Sequence, residues 1–217
     1  MNIFRYFQKL ILPSTIVTIR IVFFTILIGF ILGFIIAFLL TMYGPNGLNY
    51  KKNFYRILSF LVNTVRSFPI LILIVAISPL TRLIIGTTIG EKAVILPLSI
   101  TATAFISRLL ESNFIKVDKQ LIEAAKSFGA TNIQIMKGVI IKESVPSIIS
   151  VLTMSTVNYI AATTIAGAVG GGGLGAVALT YGYQSFNNTV LYLCVFIMFL
   201  FVNITQFIGD FIYKKII

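Results

Sequence analysis

The sequence has 217 residues, of which 58% are hydrophobic and only 11% are charged. Soluble domains average about 45–50% apolar residues, so this composition argues against a water-soluble globule. The formal net charge of +11 is spread between apolar runs instead of lying on one helix or tail, which argues against nucleic-acid binding. With no histidine and one cysteine, the chain lacks the commonest general base and the pair of thiols that an internal disulfide needs.

Five apolar stretches are long enough to cross a bilayer, which takes roughly 20 mostly apolar residues. The run Ile21–Met42 is 22 residues long, longer than the apolar region of a signal peptide, so we expect a retained span. The predicted spans are Thr15–Met42, Phe54–Leu80, Val94–Leu110, Ser147–Ala168 and Val190–Ile212. The predicted fold class is therefore an all-α polytopic membrane protein, with residues 1–217 forming a single transmembrane domain.

Local signals end or interrupt these spans. The turn sequence Gly44-Pro45-Asn46-Gly47 closes the first span. The second contains Arg66-Ser67-Phe68-Pro69, where proline removes a backbone donor and disfavours helical angles at the preceding residue. We expect a kink or break there, with the Arg66 side chain reaching toward the inner headgroups.

Two spacings predict contacts made by the spans. Gly29, Gly33 and Ala37 share one helix face, a pattern that allows close packing in lipid. Arg108 and Glu111 stand three residues apart at the end of the third span and can form an ion pair.

The distribution of Lys and Arg predicts the orientation, because cytoplasmic loops carry the excess. With the N-terminus outside, twelve of these residues lie on the inner side and five on the outer side. The inner cations are Lys51, Lys52, Arg56, Arg66, Arg108, Lys116, Lys119, Lys126, Lys137, Lys142, Lys214 and Lys215, and the outer ones are Arg5, Lys9, Arg20, Arg82 and Lys92. We therefore predict that the N-terminus is outside, and that the C-terminus and the longest polar loop, Glu111–Glu143, are cytoplasmic.

A short amphipathic segment lies within this loop. Asp118 is placed to cap a helix, and Leu121, Ala125 and Phe128 fall on one face of it. Gly129 stands where a left-handed residue ends a helix.

A second helix is predicted directly after this glycine. Thr131 and Gln134 have the spacing of a capping box, so the helix should begin there and run toward the fourth span. Two short helices joined by a glycine turn form an elbow, which can dock into a partner or lie on lipid headgroups. The physical pattern leaves both interpretations open.

The elbow resembles the EAA loop of importer permeases of the ATP-binding-cassette class. In that family the loop is a coupling helix, which contacts a separate ATPase subunit and transmits its movement to the spans. Lys142 departs from the family pattern, which usually has proline there, and Pro146 is a possible substitute one turn later. The residues that the resemblance assigns to ATPase coupling are Glu123, Ala124, Ala125 and Gly129.

A wider resemblance, from about Leu10 to the C-terminus, is to methionine-importer permeases. The similar segments are Arg66-Ser67-Phe68-Pro69, Pro79-Leu80-Thr81-Arg82, Ile85-Gly86-Thr87-Thr88-Ile89-Gly90, Gly167-Ala168-Val169-Gly170, Gly173-Leu174-Gly175 and Tyr181-Gly182-Tyr183. The resemblance implies import of L-methionine and of its D-enantiomer across the bacterial inner membrane. It also implies a homodimer, two ATPase subunits beneath it and an extracytoplasmic methionine-binding protein or lipoprotein, without any cofactor.

The fourth span is the most polar, and its hydroxyl and amide groups need protein or water partners in a bilayer. These groups either bond neighbouring helices or line a solute path. The resemblance favours the path and places its constriction at Thr163, Thr164 and Ile165.

Several other functions are weighed against the importer. The sequence Gly170-x-Gly172-x-x-Gly175 fits a dinucleotide fingerprint, but it lies between two spans and the next acid is Asp210, so close backbone packing or a flexible outer turn is the better interpretation. No Gly-x-x-x-x-Gly-Lys-Ser/Thr loop is present and no catalytic group is identified, so the chain is not expected to be an enzyme. An ion-coupled carrier or channel is the main alternative, and a scaffold without transport is the third.

Overall fold

The computed structural model describes residues 6–216, and every regular element in that range is helical. Arg5, one of the cations counted on the outer side, lies outside the described residues. The α-helices are α1 (Leu12–Tyr43), α2 (Lys52–Ser67), α3 (Ile70–Ala76), α4 (Ser78–Ile85), α5 (Glu91–Phe114), α6 (Lys119–Ser127), α7 (Asn132–Ile135), α8 (Ile141–Glu143), α9 (Val145–Ala168), α10 (Gly173–Val177) and α11 (Asn188–Ile216). Short π-helical segments occupy Phe7–Ile11, Met136–Ile140 and Ala178–Gln184.

The predicted all-α polytopic fold class is confirmed. Four helical segments within the described range are long and apolar enough to cross a membrane, and the bent pair α2 and α3 makes a fifth. The four are Phe7–Tyr43, Glu91–Phe114, Val145–Ala168 and Asn188–Ile216. Their bounds extend the predicted spans by up to eight residues, because end turns continue the helices beyond the apolar stretches.

The second span is broken, as its proline predicts. The axes of α2 and α3 differ by 104°. Phe68 and Pro69 between them are extended, with ψ of 132° and 135°. A further break at Ile77, just before Pro79, separates α3 from α4. One predicted interrupted span is therefore three helices.

Helix α5 lies at the centre and packs most extensively against α1. Gly29, Gly33 and Ala37 are buried in this contact. A Cβ added at Gly29 would lie 2.5 Å from the Ala102 Cβ, so the glycine lets the two backbones approach. The predicted small-residue packing face is confirmed.

The glycine-rich segment before α10 packs against the start of α1 and against the residue that precedes α5. The Leu174 amide donates to Thr18 Oγ1 at 2.8 Å, and the Gly90 amide donates to the Gly170 carbonyl at 2.9 Å. A Cβ on Gly173, whose φ is +80°, would lie 2.7 Å from Thr18 Oγ1. This segment therefore serves close backbone packing, and within the described residues no strand precedes it.

Helix α11 is peripheral, because only 6% of its apolar membrane-spanning stretch is buried within the chain. It packs against α9, where Gly209 meets Thr153 so closely that a Cβ there would overlap the threonine side chain. Most of its apolar side chains are therefore left to face lipid or another subunit.

Candidate functional site

The first half of the elbow folds as its sequence predicts. The Asp118 carboxylate accepts from the Gln120 amide at 2.9 Å and caps α6. At the other end Gly129 has φ of +78° and its amide donates to the Lys126 carbonyl at 2.9 Å. A residue with a Cβ pays about 1–2 kcal/mol for this left-handed conformation, which explains the glycine.

The second half begins with the predicted capping box. The Thr131 amide donates to Gln134 Oε1 at 2.8 Å, and the Gln134 amide donates to Thr131 Oγ1 at 3.4 Å. The chain stays helical through Glu143, breaks at Ser144 and enters α9 at Val145. Pro146 lies in the first turn of α9, where its missing amide costs nothing.

The apolar face predicted for α6 is largely exposed. Ile122 and Ala125 pack against the main core, whereas Leu121 is 43% exposed and Phe128 is 91% exposed. Of the predicted face, Ala125 therefore packs inward together with Ile122, whereas Leu121 and Phe128 stay exposed. The inward contact is made with the second half of the loop. Glu123 and Ala124 are also exposed, so the elbow presents an aromatic tip and a carboxylate away from the helix bundle.

A second open surface runs along α9. Met154, Asn158, Ala161 and Ile165 are exposed and lie three or four residues apart, so they share one helix face. We call this the α9 face. The opposite side of α9 is buried against the bundle through residues such as Tyr159 and Ala162.

The three predicted gate residues do not share one environment. Thr163 is 1% exposed and Ile165 is 38% exposed. The Thr163 hydroxyl donates to the Ile160 carbonyl at 2.6 Å, and the Thr164 hydroxyl donates to the Ala161 carbonyl at 2.5 Å. Both hydroxyls are thus hydrogen-bonded within their own helix. Both threonines pack against Gly175. Of the three, Ile165 alone lies on the α9 face.

An ion-pair network joins α2 to α5 and includes Tyr55, Ser59 and Asn63, which were not predicted from the sequence. The predicted pair of Arg108 and Glu111 forms. Arg108 also donates to Ser59 Oγ at 2.7 Å and to Asn63 Oδ1 at 3.2 Å, and the Tyr55 hydroxyl donates to Glu111 at 3.2 Å. Tyr55, Ser59 and Asn63 are spaced by four residues, so a polar stripe on α2 was the available signal.

We expect Glu111→Gln to destabilise the fold strongly. The side chains of Arg108 and Glu111 are 21% and 3% exposed, and removing one member of a buried pair costs about 3–5 kcal/mol. The midpoint of unfolding in detergent should fall clearly. The matched control is Glu91→Gln, whose Arg20–Glu91 pair has side chains 58% and 28% exposed and should cost about 0–1 kcal/mol. Equal effects of the two substitutions would contradict this assignment.

Across residues 6–216, no three His, Cys, Asp or Glu side chains gather where they could hold a metal ion. Cys194 is free and fully buried among apolar side chains of α11 and α10.

Comparison with known sequences identifies the family. The family described as binding-protein-dependent transport system inner membrane component matches residues 29–217. The probable D-methionine transport system permease protein MetI of Vibrio cholerae is 39% identical over 209 residues, which are 96% of this chain and 93% of the relative. The methionine import system permease protein MetP of Bacillus subtilis is 42% identical over 156 residues, 72% of this chain and 70% of the relative.

Solved structures support this family assignment. One structure, of inward facing conformations of the MetNI methionine ABC transporter, has a TM-score of 0.95 at 33% identity and covers 100% of both chains. An amino acid ABC transporter solved with histidines has a TM-score of 0.78 at 20% identity over 94% of this chain and 92% of the other, and so shares the fold. The chain belongs to the family of inner-membrane components of binding-protein-dependent transport systems.

Proposed function

We propose that this chain is the membrane-spanning permease of an ATP-driven methionine importer. An extracytoplasmic binding protein delivers methionine to the outer face. Two ATPase subunits on the cytoplasmic side bind and hydrolyse ATP, and the permease alternates between outward-open and inward-open states. The methionine assignment comes from the names of relatives such as those of Vibrio cholerae and Bacillus subtilis.

The exposed elbow is the observation that carries the coupling step. A large aromatic side chain that is 91% exposed at the end of a rigidly capped helix, as Phe128 is, is typical of an interface anchor. The same helix presents Glu123 and Ala124, and its inner face is fixed to the core through Ile122 and Ala125. Movement of the ATPase would therefore be transmitted to α5 and α9, which the elbow connects.

The proposed orientation has the N-terminus outside and the C-terminus in the cytoplasm. It rests on the excess of Lys and Arg on the side of the elbow. In this orientation the elbow faces the ATPase, and the glycine-rich segment before α10 faces the binding protein. We further propose that residues 1–217 act as one transmembrane domain.

The α9 face is the proposed wall of the solute path. Five spans are few for enclosing a path, so a second copy of the chain is expected to complete it across a two-fold axis. The face combines apolar side chains with the Asn158 amide, which suits passage of a zwitterion better than a uniformly apolar wall would. Thr163 and Thr164 then support the constriction from behind, with Ile165 facing the path.

The direct test is uptake by proteoliposomes that contain the permease, its ATPase and the binding protein. We expect labelled methionine to enter only when ATP is supplied on the ATPase side. Uptake driven by an ion gradient without ATP would favour the alternative of an ion-coupled carrier and would contradict the proposal.

We expect Ile165→Trp to reduce ATP-driven uptake close to background, because the larger ring narrows the path where Ile165 faces it. The control is Val195→Trp on α11, where the native side chain is 52% exposed and belongs to the peripheral helix. Both variants should reach the membrane in wild-type amounts. Unchanged uptake by Ile165→Trp would remove this residue from the path.

A further inference from the structure

A cavity of about 250 Å³ lies among α2, α3, α5 and α9. Thr101 and Tyr159 in its wall lie near the middle of α5 and α9, so the cavity is at mid-depth of the spans. Its lining residues with polar or aromatic groups are Arg66, Phe68, Thr101, Phe105, Asn158 and Tyr159.

Arg66 is the one charged residue in this wall. Within the described range the structure gives it no ion pair, since the two pairs formed are Arg20–Glu91 and Arg108–Glu111. The nearby Glu111 carboxylate is already engaged by Arg108 and Tyr55. Its side chain is exposed and also lines the neighbouring open pocket that contains Glu111 and Ser112, so its guanidinium is available to an anionic group in this cavity.

The rest of the wall offers two other kinds of contact. Among residues 6–216 the Asn158 amide forms no hydrogen bond, and it is exposed on the α9 face. Phe68 and Phe105 supply aromatic surface. The ring of Phe105 is held edge-on against Tyr159 with centroids 6.5 Å apart, and the Tyr159 hydroxyl is fixed by donating to Thr101 Oγ1 at 3.0 Å.

We propose that this cavity is a transient amino-acid site within the permease, an inference that rests on the proposed import function. The substrate carboxylate accepts hydrogen bonds from the Arg66 guanidinium, and the substrate ammonium donates to the Asn158 side-chain carbonyl. The apolar side chain lies against Phe68 and Phe105, whose rings also make favourable contacts with a thioether sulfur.

The size and position of the cavity fit this occupant. Its volume is below the roughly 300–1,000 Å³ of pockets for drug-sized ligands, which suits a ligand as small as one amino acid. Asn158 belongs both to the cavity and to the α9 face, so a substrate on the proposed path reaches the cavity without crossing packed helices. A path needs such a weak site, because tight binding would prevent release.

The test measures protection of a thiol placed in the wall. Ile70→Cys lines the cavity without removing a proposed contact, and Cys194→Ala removes the native thiol. In nanodiscs with the ATPase bound and no ATP, we expect L-methionine to slow modification of this thiol by a small methanethiosulfonate reagent. L-methioninol, which lacks the carboxylate, should not protect.

Arg66→Gln should raise the methionine concentration needed for half-protection by about 10- to 100-fold, because a charge-assisted hydrogen bond is lost. Arg56→Gln, an exposed arginine on the same helix, should leave that concentration unchanged. Equal protection by methionine and methioninol, no protection by either, or wild-type protection in Arg66→Gln would overturn the proposal. ATP-driven uptake is measured separately, so uptake without protection would reject the cavity site and leave the proposed function standing.

Discussion

Phe128→Asp is expected to weaken binding of the ATPase to the permease by about 30-fold or more and to abolish ATP-driven uptake. Phe128 is 91% exposed at the end of α6, and aromatic interface anchors typically contribute 2 kcal/mol or more, with about 1.4 kcal/mol for each factor of ten. Because the ring contacts little of its own chain, the helix bundle should fold normally. Co-purification with the ATPase and uptake by proteoliposomes check the two effects.

The control for this substitution is Phe186→Asp. Phe186 is 89% exposed between the last π-helical segment and α11, on the side that we propose to be extracytoplasmic. It should retain wild-type ATPase binding. Normal ATPase binding by Phe128→Asp, or equal loss in both variants, would refute the role of the elbow.

Other elbow substitutions should act in the same direction. Glu123→Ala removes an exposed carboxylate, and Gly129→Val forces a β-branched residue into the left-handed region at φ of +78°. Gly129→Asn is the matched control, since asparagine tolerates that conformation and a Cβ there meets nothing within 4 Å. We expect the valine variant to lose ATPase association and the asparagine variant to keep it.

Gly29→Leu is expected to prevent stable folding. The Cβ alone would lie 2.5 Å from the Ala102 Cβ and 3.3 Å from the Ala102 carbonyl carbon, so α1 and α5 would have to separate. Overpacking of this kind costs about 1–3 kcal/mol or more, and close packing is a main source of helix association in lipid. The yield of monodisperse protein and the unfolding midpoint in detergent should both fall sharply.

Two further variants separate this packing effect from a general intolerance of change at glycine. Gly138→Leu places the same side chain where nothing lies within 4 Å and should change stability by about 0.5 kcal/mol or less. The exchange of Gly29→Ala together with Ala102→Gly should recover part of the stability lost by Gly29→Ala alone. Failure of the exchange to recover stability would contradict direct contact between the two residues.

Local signals predicted the elements well because they act through the backbone. The proline at 69, the Asp118 cap, the left-handed Gly129 and the capping box of Thr131 and Gln134 each specify hydrogen bonds within a few residues. The spans likewise followed from length and apolar content. Prediction was therefore most successful where the cause was local.

Contacts between distant segments were less predictable. The sequence did not indicate which stripe of α6 packs inward, because Leu121 and Ile122 are equally apolar and tertiary contact alone distinguishes them. Arg66 lines a cavity with Thr101 and Tyr159, a position that depends on the 104° break just beyond it. Its reach toward the inner headgroups stays a prediction. The role of Ser59 and Asn63 in holding Arg108 needed the pairing of α2 with α5.

The most direct test of the account is the accessibility of a single cysteine in the elbow. Ser127→Cys in a Cys194→Ala background places a thiol at an exposed position at the end of α6. We predict that a membrane-impermeant thiol reagent modifies it only from the cytoplasmic side of oriented vesicles, and that bound ATPase protects it. Modification from the outside, or no protection by the ATPase, would contradict the claim that this elbow couples ATP hydrolysis to the membrane spans.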